Sequence, residues 1–223
     1  MSRVAIVGAG LSGLILGRAL AGEAEVVLFE KSRGPGGRMA TRDAPPFAFD
    51  HGAQFFTARS DAFLAFLAPL AAAGVVASWT ARFAEVTAQG PLAQRRWGAA
   101  PAHYVAVPRM NALGKHLARG LDVRTQTQVA AVTPAGERWR LTGADGAALG
   151  VYDWVLMTAP AAQTAALMPR VFDAYARLAR VRMRGCYALM LGLEAPPELP
   201  FDAALVRNAD LSWISLNATK PGA

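Results

Sequence analysis

Only one cysteine, Cys186, occurs in 223 residues, so the chain has no disulfide framework and suits a reducing cytoplasm. Histidine is almost as scarce. His51, His103 and His116 show no metal-ligand spacing to one another or to acids, and no metal is expected. Lysine occurs only at Lys31, Lys115 and Lys220; the other cations are arginines, and 16 acids against 23 cations leave a net charge of +7. That balance fits an anionic partner, either a polynucleotide or a phosphate-bearing cofactor. The arginines are dispersed apart from Arg170, Arg177, Arg180, Arg182 and Arg184, which read as a solvated face. No aromatic–basic motif accompanies them, so nucleic acid is not the expected partner.

Long hydrophobic runs are missing too. The stretch at residues 62–77 holds 16 residues, interrupted by Pro69 and Gly74, and falls short of the ~20 that span a bilayer. It reads as a buried helix with a break, and no membrane partner is expected. The N-terminus has an early Arg3, an apolar run and an Ala-x-Ala at Ala19 and Ala21, as a secretory signal would. Its glycines at 8, 10 and 13 have another explanation, given below, so a cytoplasmic location is expected. Internal repeats and low-complexity linkers are absent, and no feature of the sequence fixes an oligomeric state.

What remains is a core-building chain, 53% hydrophobic and 17% charged. Val4, Ala5, Ile6 and Val7 form a short apolar run that ends in glycine, residues 11–23 read as a helix, and residues 25–30 as a second buried strand. A β-α-β unit within 30 residues opens a parallel, doubly wound sheet. Residues 31–59 read as loop, with Ser60-Asp61 capping the next helix. Strands are expected at 79–88 and 103–108, and a helix at 109–120 with Met110, Leu113 and Leu117 on one face. An antiparallel meander with turns at Ala135-Gly136 and Asp145-Gly146 returns to a buried strand at 153–159. A helix at 170–181, a buried strand at 186–194 carrying Cys186 as a core thiol, and a final strand near Trp213 complete the reading. The expected class is α/β: a Rossmann-type domain (1–75 and 101–165) interleaved with a smaller α+β substrate domain (76–100 and 166–223).

The chemistry sits in Gly8-Ala9-Gly10-Leu11-Ser12-Gly13. Gly8 permits the tight turn out of the strand, Gly10 lets backbone approach a pyrophosphate, and Gly13 lets the helix pack on the sheet. The first-turn N–H groups at Leu11 and Ser12 then face the phosphates with the positive end of the helix dipole. Glu30 follows Gly13 by 17 residues, near the spacing of an acid that bonds ribose hydroxyls. A carboxylate there repels a 2′-phosphate and favours FAD or NAD over NADP. The turn alone does not separate the two.

The next loop does so by resemblance. Residues 30–38, "EKSRGPGGR", are similar to the extended fingerprint of flavin-containing amine oxidases, in which the second strand runs into Gly-Gly-Arg. The resemblance implies that Gly37 clears space for FAD, that Arg38 contacts its pyrophosphate, and that Lys31 and Met39 flank the same site. Residues 49–59, "FDHGAQFFTAR", resemble the D-x-G-A-Q segment of renalase and its bacterial relatives, which implies that Gln54 and Phe55 contact the flavin. The likeness continues through residues 104–118, 127–132 and 153–163, with the backbone at Val129 receiving the adenine end. The family's late Gly-Asp segment and final helix have no counterpart before Ala223, so the substrate domain is expected to be incomplete.

The implied function is hydride transfer from a small substrate to flavin, with reoxidation by oxygen. Dihydronicotinamide isomers are the renalase-like substrates, and amines those of the wider family. A cofactor-binding protein without turnover and a flavin-free NAD dehydrogenase stand as alternatives. No catalytic acid or base is assigned; His51 is the weak candidate. Trp79, Trp97, Trp139, Trp154 and Trp213 are spread along the chain and read as core or pocket lining.

Overall fold

The computed structural model describes residues 1–98, 100–170 and 172–223. Ala99, in the segment assigned to the substrate domain, and Val171, in the expected helix 170–181, lie outside the described residues. Contacts divide the chain into two compact units, Met1–Arg38 with Gly114–Tyr187 and Met39–Leu113 with Ala188–Ala223.

In the first unit, strand Ser2–Val7 pairs in parallel with Ala24–Phe29 on one side and with Trp154–Met157 on the other. Asp122–Arg124 adds a fourth parallel strand outside Ala24–Phe29. Parallel strands are covered on both faces, which is why Val4 to Val7 and Val27 to Phe29 are continuous buried runs rather than alternating ones. Helix Leu11–Leu20 makes the crossover. Gly17 lets it approach the sheet, since a Cβ there would meet Leu28 Cδ1 at 3.1 Å.

Strands Val129–Ala135, Arg138–Gly143 and Ala148–Tyr152 form the expected antiparallel meander. Its Val129, Val132, Leu141 and Tyr152 pack on Ala5, Val7, Val27 and Phe29. Phe29 and Tyr152 meet edge to face at 6.0 Å. Fully burying each such large side chain contributes about 1.5–3 kcal/mol. The mixed α/β architecture with a parallel sheet is as expected from sequence.

The second unit holds hairpin Thr41–Ala44 and Phe47–Asp50, a sheet of Phe56–Thr57, His103–Ala106 and Val76–Ser78, and a four-stranded sheet. In the latter, Arg82–Thr87 pairs antiparallel with Gly90–Arg96 and parallel with Ala203–Val206, which pairs antiparallel with Trp213–Ser215.

Four expectations are corrected. The region 31–59 is not all loop: the prolines at 45 and 46 form a turn, and strands pair on either side of it. Helix Asp61–Ala72, capped by Ser60 Oγ as expected, runs through Pro69 without a break, and only Leu67 and Leu70 are buried. Pro69 stands in its last turn and offers no N–H to the Ala65 carbonyl, so one helical bond is missing without ending the helix. The C-terminal helix is shorter than expected, Ala174–Arg180.

The expected buried strand at 186–194 has no regular structure and is largely exposed, with Tyr187 100% and Leu189 81% accessible. Cys186 is likewise exposed, not a core thiol. An apolar run becomes a buried strand only where a neighbour supplies a ladder, and none pairs with this segment among the described residues. Among those residues no helix is long and apolar enough to cross a membrane.

Candidate functional site

Backbone packs on backbone at the end of the first strand. Gly8 has φ +104, and a Cβ there would lie 3.0 Å from Thr158 Oγ1. Thr158 Oγ1 donates to the carbonyls of Val7 and Gly8 at 3.0 and 2.9 Å, tying the end of strand Trp154–Met157 to the turn. A Cβ on Gly13 would come within 2.1 Å of the Gly8 carbonyl oxygen, so helix and turn touch directly. Gly10 caps the helix with no side-chain bond, leaving the first-turn N–H groups of Leu11 and Ser12 without a side-chain acceptor.

The Gly-Gly-Arg loop lies on this turn. Gly36 N–H donates to the Ala9 carbonyl at 2.9 Å, and Gly37, at φ +55, would place a Cβ 3.1 Å from Gly10 Cα. On the other side, a Cβ on Gly114 would fall 2.7 Å from Gly36 Cα. Sequence reasoning missed Gly114. Its signal is a glycine inside helix Asn111–Leu117, a position that asks for a packing reason.

Glu30 is buried, with Oε2 accepting from Ala9 N–H at 2.9 Å and Oε1 from Ser32 N–H at 2.8 Å. The carboxylate is therefore fixed over the turn, and each oxygen keeps a lone pair for another donor. Lys31 Nζ donates to Gln163 Oε1 at 3.3 Å. Arg38 is exposed, and no hydrogen bond or ion pair holds its guanidinium among the described residues. Val129 is buried at a register shift that opens the meander. Beside it, a cavity of about 180 Å³ is lined by Gln126, Gln128, Asp145 and Leu149 among others.

In the second unit, Met39 is buried and Gln54 belongs to a polar knot. Gln54 Nε2 donates to the carbonyls of Asp50 and Gly52, and its Oε1 accepts from Lys220 Nζ at 3.2 Å. Lys220 Nζ also donates to Asp50 Oδ2 at 3.1 Å, with both side chains no more than 5% exposed. Asp50 Oδ1 accepts from Thr41 Oγ1 at 2.6 Å and Met110 N–H at 3.1 Å. Burial pushes the Lys220 ammonium below its ordinary 10.5, and Asp50 opposes that shift. Lys220 carried no sequence signal. His51 is exposed and bonded to nothing among the described residues.

Phe55 enters an aromatic cluster. Its ring lies 4.8 Å from Trp97, 5.1 Å from His103 and 5.6 Å from Trp213. Trp97 stacks on His103 at 3.9 Å and meets Trp79 edge-on at 5.3 Å. Three tryptophans separated in sequence thus converge, while Trp139 and Trp154 belong to the first unit. His103 Nδ1, Trp213 Nε1 and Ser215 Oγ are buried without a hydrogen-bond partner among the described residues. Leaving such an atom unsatisfied costs about 1–3 kcal/mol. Burial pushes His103 below its ordinary 6.5, and Arg95 lowers it further against the opposing backbone of Pro101. No group of three potential metal ligands occurs among the described residues.

A family model for the NAD(P)-binding Rossmann-like domain matches residues 6–70. The whole structure is similar to the crystal structure of a provisionally assigned protoporphyrinogen oxidase from Exiguobacterium sp. 255-15. The TM-score is 0.67 at 14% identity, covering 95% of this chain and 72% of that one. At that identity the likeness is one of fold: this chain is a mixed α/β protein with a Rossmann-like NAD(P)-binding domain, in an architecture shared with that protein.

Proposed function

We propose that the protein is an FAD-dependent oxidoreductase of the renalase-like kind. One observation carries the reading: the Gly36-Gly37-Arg38 loop is packed against the Gly8–Gly13 turn, with Gly36 N–H donating to the Ala9 carbonyl and a Cβ on Gly37 lying only 3.1 Å from Gly10 Cα. Those residues fit a dinucleotide. Gly10 and Gly37 leave the backbone bare, the N-terminus of helix Leu11–Leu20 offers N–H groups, and Arg38 brings a guanidinium with no partner among the described residues. Glu30 would accept from ribose hydroxyls while holding Ala9 and Ser32, and Val129 would meet the adenine end. Bound FAD would supply the redox chemistry, taking a hydride from a small substrate and passing electrons to oxygen.

Titration with FAD tests this. Saturable binding is expected, with Arg38→Ala weaker by about 1.5–3 kcal/mol through loss of a charge-assisted contact. Absence of FAD binding, or equal affinity in the variant, would overturn it. Anaerobic bleaching of bound flavin by dihydronicotinamide isomers, and not by amines, would give the renalase-like substrate; the reverse gives an amine oxidase, and bleaching by neither a binding protein without turnover.

A second reading has its own support. The matched family model is one for NAD(P) binding, and NAD would use the same turn and the same Glu30. Saturation with NAD and not FAD would select it. NADP is disfavoured on either reading, because the fixed Glu30 carboxylate repels a 2′-phosphate.

A further inference from the structure

Helix Ala174–Arg180 and the irregular stretch that follows it to Tyr187 belong to the first unit. No residue of the helix is buried. A helix of seven residues is marginal in water without packing. Tyr175 and Leu178, three apart, share its partly buried face, with the Arg170 guanidinium 5.8 Å from the Tyr175 ring. Arg177 and Arg180 fall on the opposite, exposed face. Phe172 ties the start of the helix to the meander through Trp139 at 5.6 Å.

The surface so presented carries two kinds of exposed group. Val181, Met183 and Tyr187 are 47, 53 and 100% accessible. Arg182 and Arg184 interleave with them. With Arg170, Arg177 and Arg180 they set five exposed arginines against one acid, Asp173, over residues 170–187. No ion pair holds any of the five among the described residues, whereas Arg3, Arg82, Arg109 and Arg124 are each paired with an acid.

Charge and apolarity together select what covers this surface. A second copy of the same patch would set guanidiniums against guanidiniums, which repel. A nucleic acid would match the charge, but Val181 and Met183 offer it no ring to stack on. An anionic bilayer surface matches both: headgroups take the guanidiniums, and the boundary with the acyl chains takes the apolar side chains. Adsorption to one leaflet asks for no spanning helix, and none occurs among the described residues.

We propose that this face of the first unit docks on an anionic lipid surface. The five arginines lie at the headgroups, and Val181, Met183 and Tyr187 enter the boundary beneath them. From sequence the arginines read as a solvated face; the exposed apolar side chains between them change that reading. The inference goes beyond the oxidoreductase reading and does not depend on it.

Sedimentation with sucrose-loaded vesicles tests it. Partition onto phosphatidylcholine vesicles holding about 30% phosphatidylglycerol is expected to exceed that onto pure phosphatidylcholine at least about tenfold. Arg182→Gln/Arg184→Gln should weaken it about 20- to 30-fold, and Met183→Ser/Tyr187→Ser about tenfold. Arg18→Gln/Arg119→Gln removes the same charge from exposed positions elsewhere and should change it less than about twofold. All three pairs alter exposed side chains, so melting temperatures should match wild type. Binding to neither vesicle, equal binding to both, or equal losses in the two arginine pairs overturns the proposal. So does full binding by Met183→Ser/Tyr187→Ser, which would leave a surface for any polyanion. FAD titration of the same variants should equal wild type, so failure here and failure of the cradle are seen separately.

Discussion

Gly114 lies against Gly36 so closely that a Cβ on it would reach 2.7 Å from the Gly36 Cα and 3.0 Å from its nitrogen. A residue in the middle of a helix thus sets where the Gly-Gly-Arg loop rests on the Gly8–Gly13 turn. Turn, loop and helix make a sandwich of bare backbone in three layers, one of them far away in sequence.

Gly114→Ala separates the two roles of that glycine. Alanine favours the helix by about 1 kcal/mol, while the clash with Gly36 costs about 1–3 kcal/mol. The melting temperature should move little, whereas FAD affinity should fall about tenfold or more because the loop is displaced. Melts and FAD titrations on the same preparation check this; an affinity equal to wild type would show that the loop is held by other contacts.

Breaking the Lys220–Asp50 pair should destabilise strongly. Lys220→Met leaves a carboxylate that is 5% exposed without its counter-ion, for which about 3–5 kcal/mol is expected. The double variant Asp50→Asn/Lys220→Met should recover much of that loss. Urea denaturation of the four proteins gives the coupling, and additive losses would mean that the pair does not act as a unit.

Lys220 also gives stability a slope with pH. Its folded value is depressed below 10.5, so between the two values the unfolded chain binds more protons. Stability from this group therefore rises with pH through that window, and the gap between wild type and Lys220→Met should widen. A gap independent of pH on the alkaline side would contradict the depressed value.

His103 acts on the acid side in the same sense. Burial holds its folded value below 6.5, so acidification through 6.5 protonates the unfolded chain first and stability falls until the folded imidazole titrates. His103→Phe should remove that part of the acid sensitivity, as read from melting temperatures across the range.

The segment at residues 181–193 should be the first point of attack. Trypsin is expected to cut after Arg182 and Arg184 before any helix or sheet yields, and a thiol reagent should label Cys186 in the folded protein. Full protection at both would mean that something covers this segment.

The contrast between that segment and the first strand shows what the sequence could carry. Val4 to Val7 announce a buried parallel strand because a glycine turn, a helix and Glu30 follow at fixed distances, so local pattern and fold agree. The apolar run after Cys186 is the same signal without a second constraint, and whether it is buried depends on a neighbour that local sequence does not name. Glu30 was legible as an acceptor, but its bonds to Ala9 and Ser32 depend on how the turn is folded back. Trp97 reaches Trp79 through the hairpin of Arg82–Thr87 and Gly90–Arg96, whereas Trp213 joins them only because Ala203–Val206 pairs with Arg82–Thr87, a contact invisible to spacing. Lys220 sits in a turn-like stretch with no periodicity, and only burial against Asp50 gives it meaning.

The long-range pairings also govern how the chain comes into being. Ser2–Val7 obtains its second parallel neighbour from Trp154–Met157, and Arg82–Thr87 obtains one from Ala203–Val206. Synthesis proceeds from the N-terminus, so the nascent chain carries one sheet open until residue 157 emerges and another until residue 206. Two strand edges therefore stay unpaired until those partners emerge. Such a chain has reason to lean on chaperones that shield strand edges, and to fold slowly when diluted from denaturant.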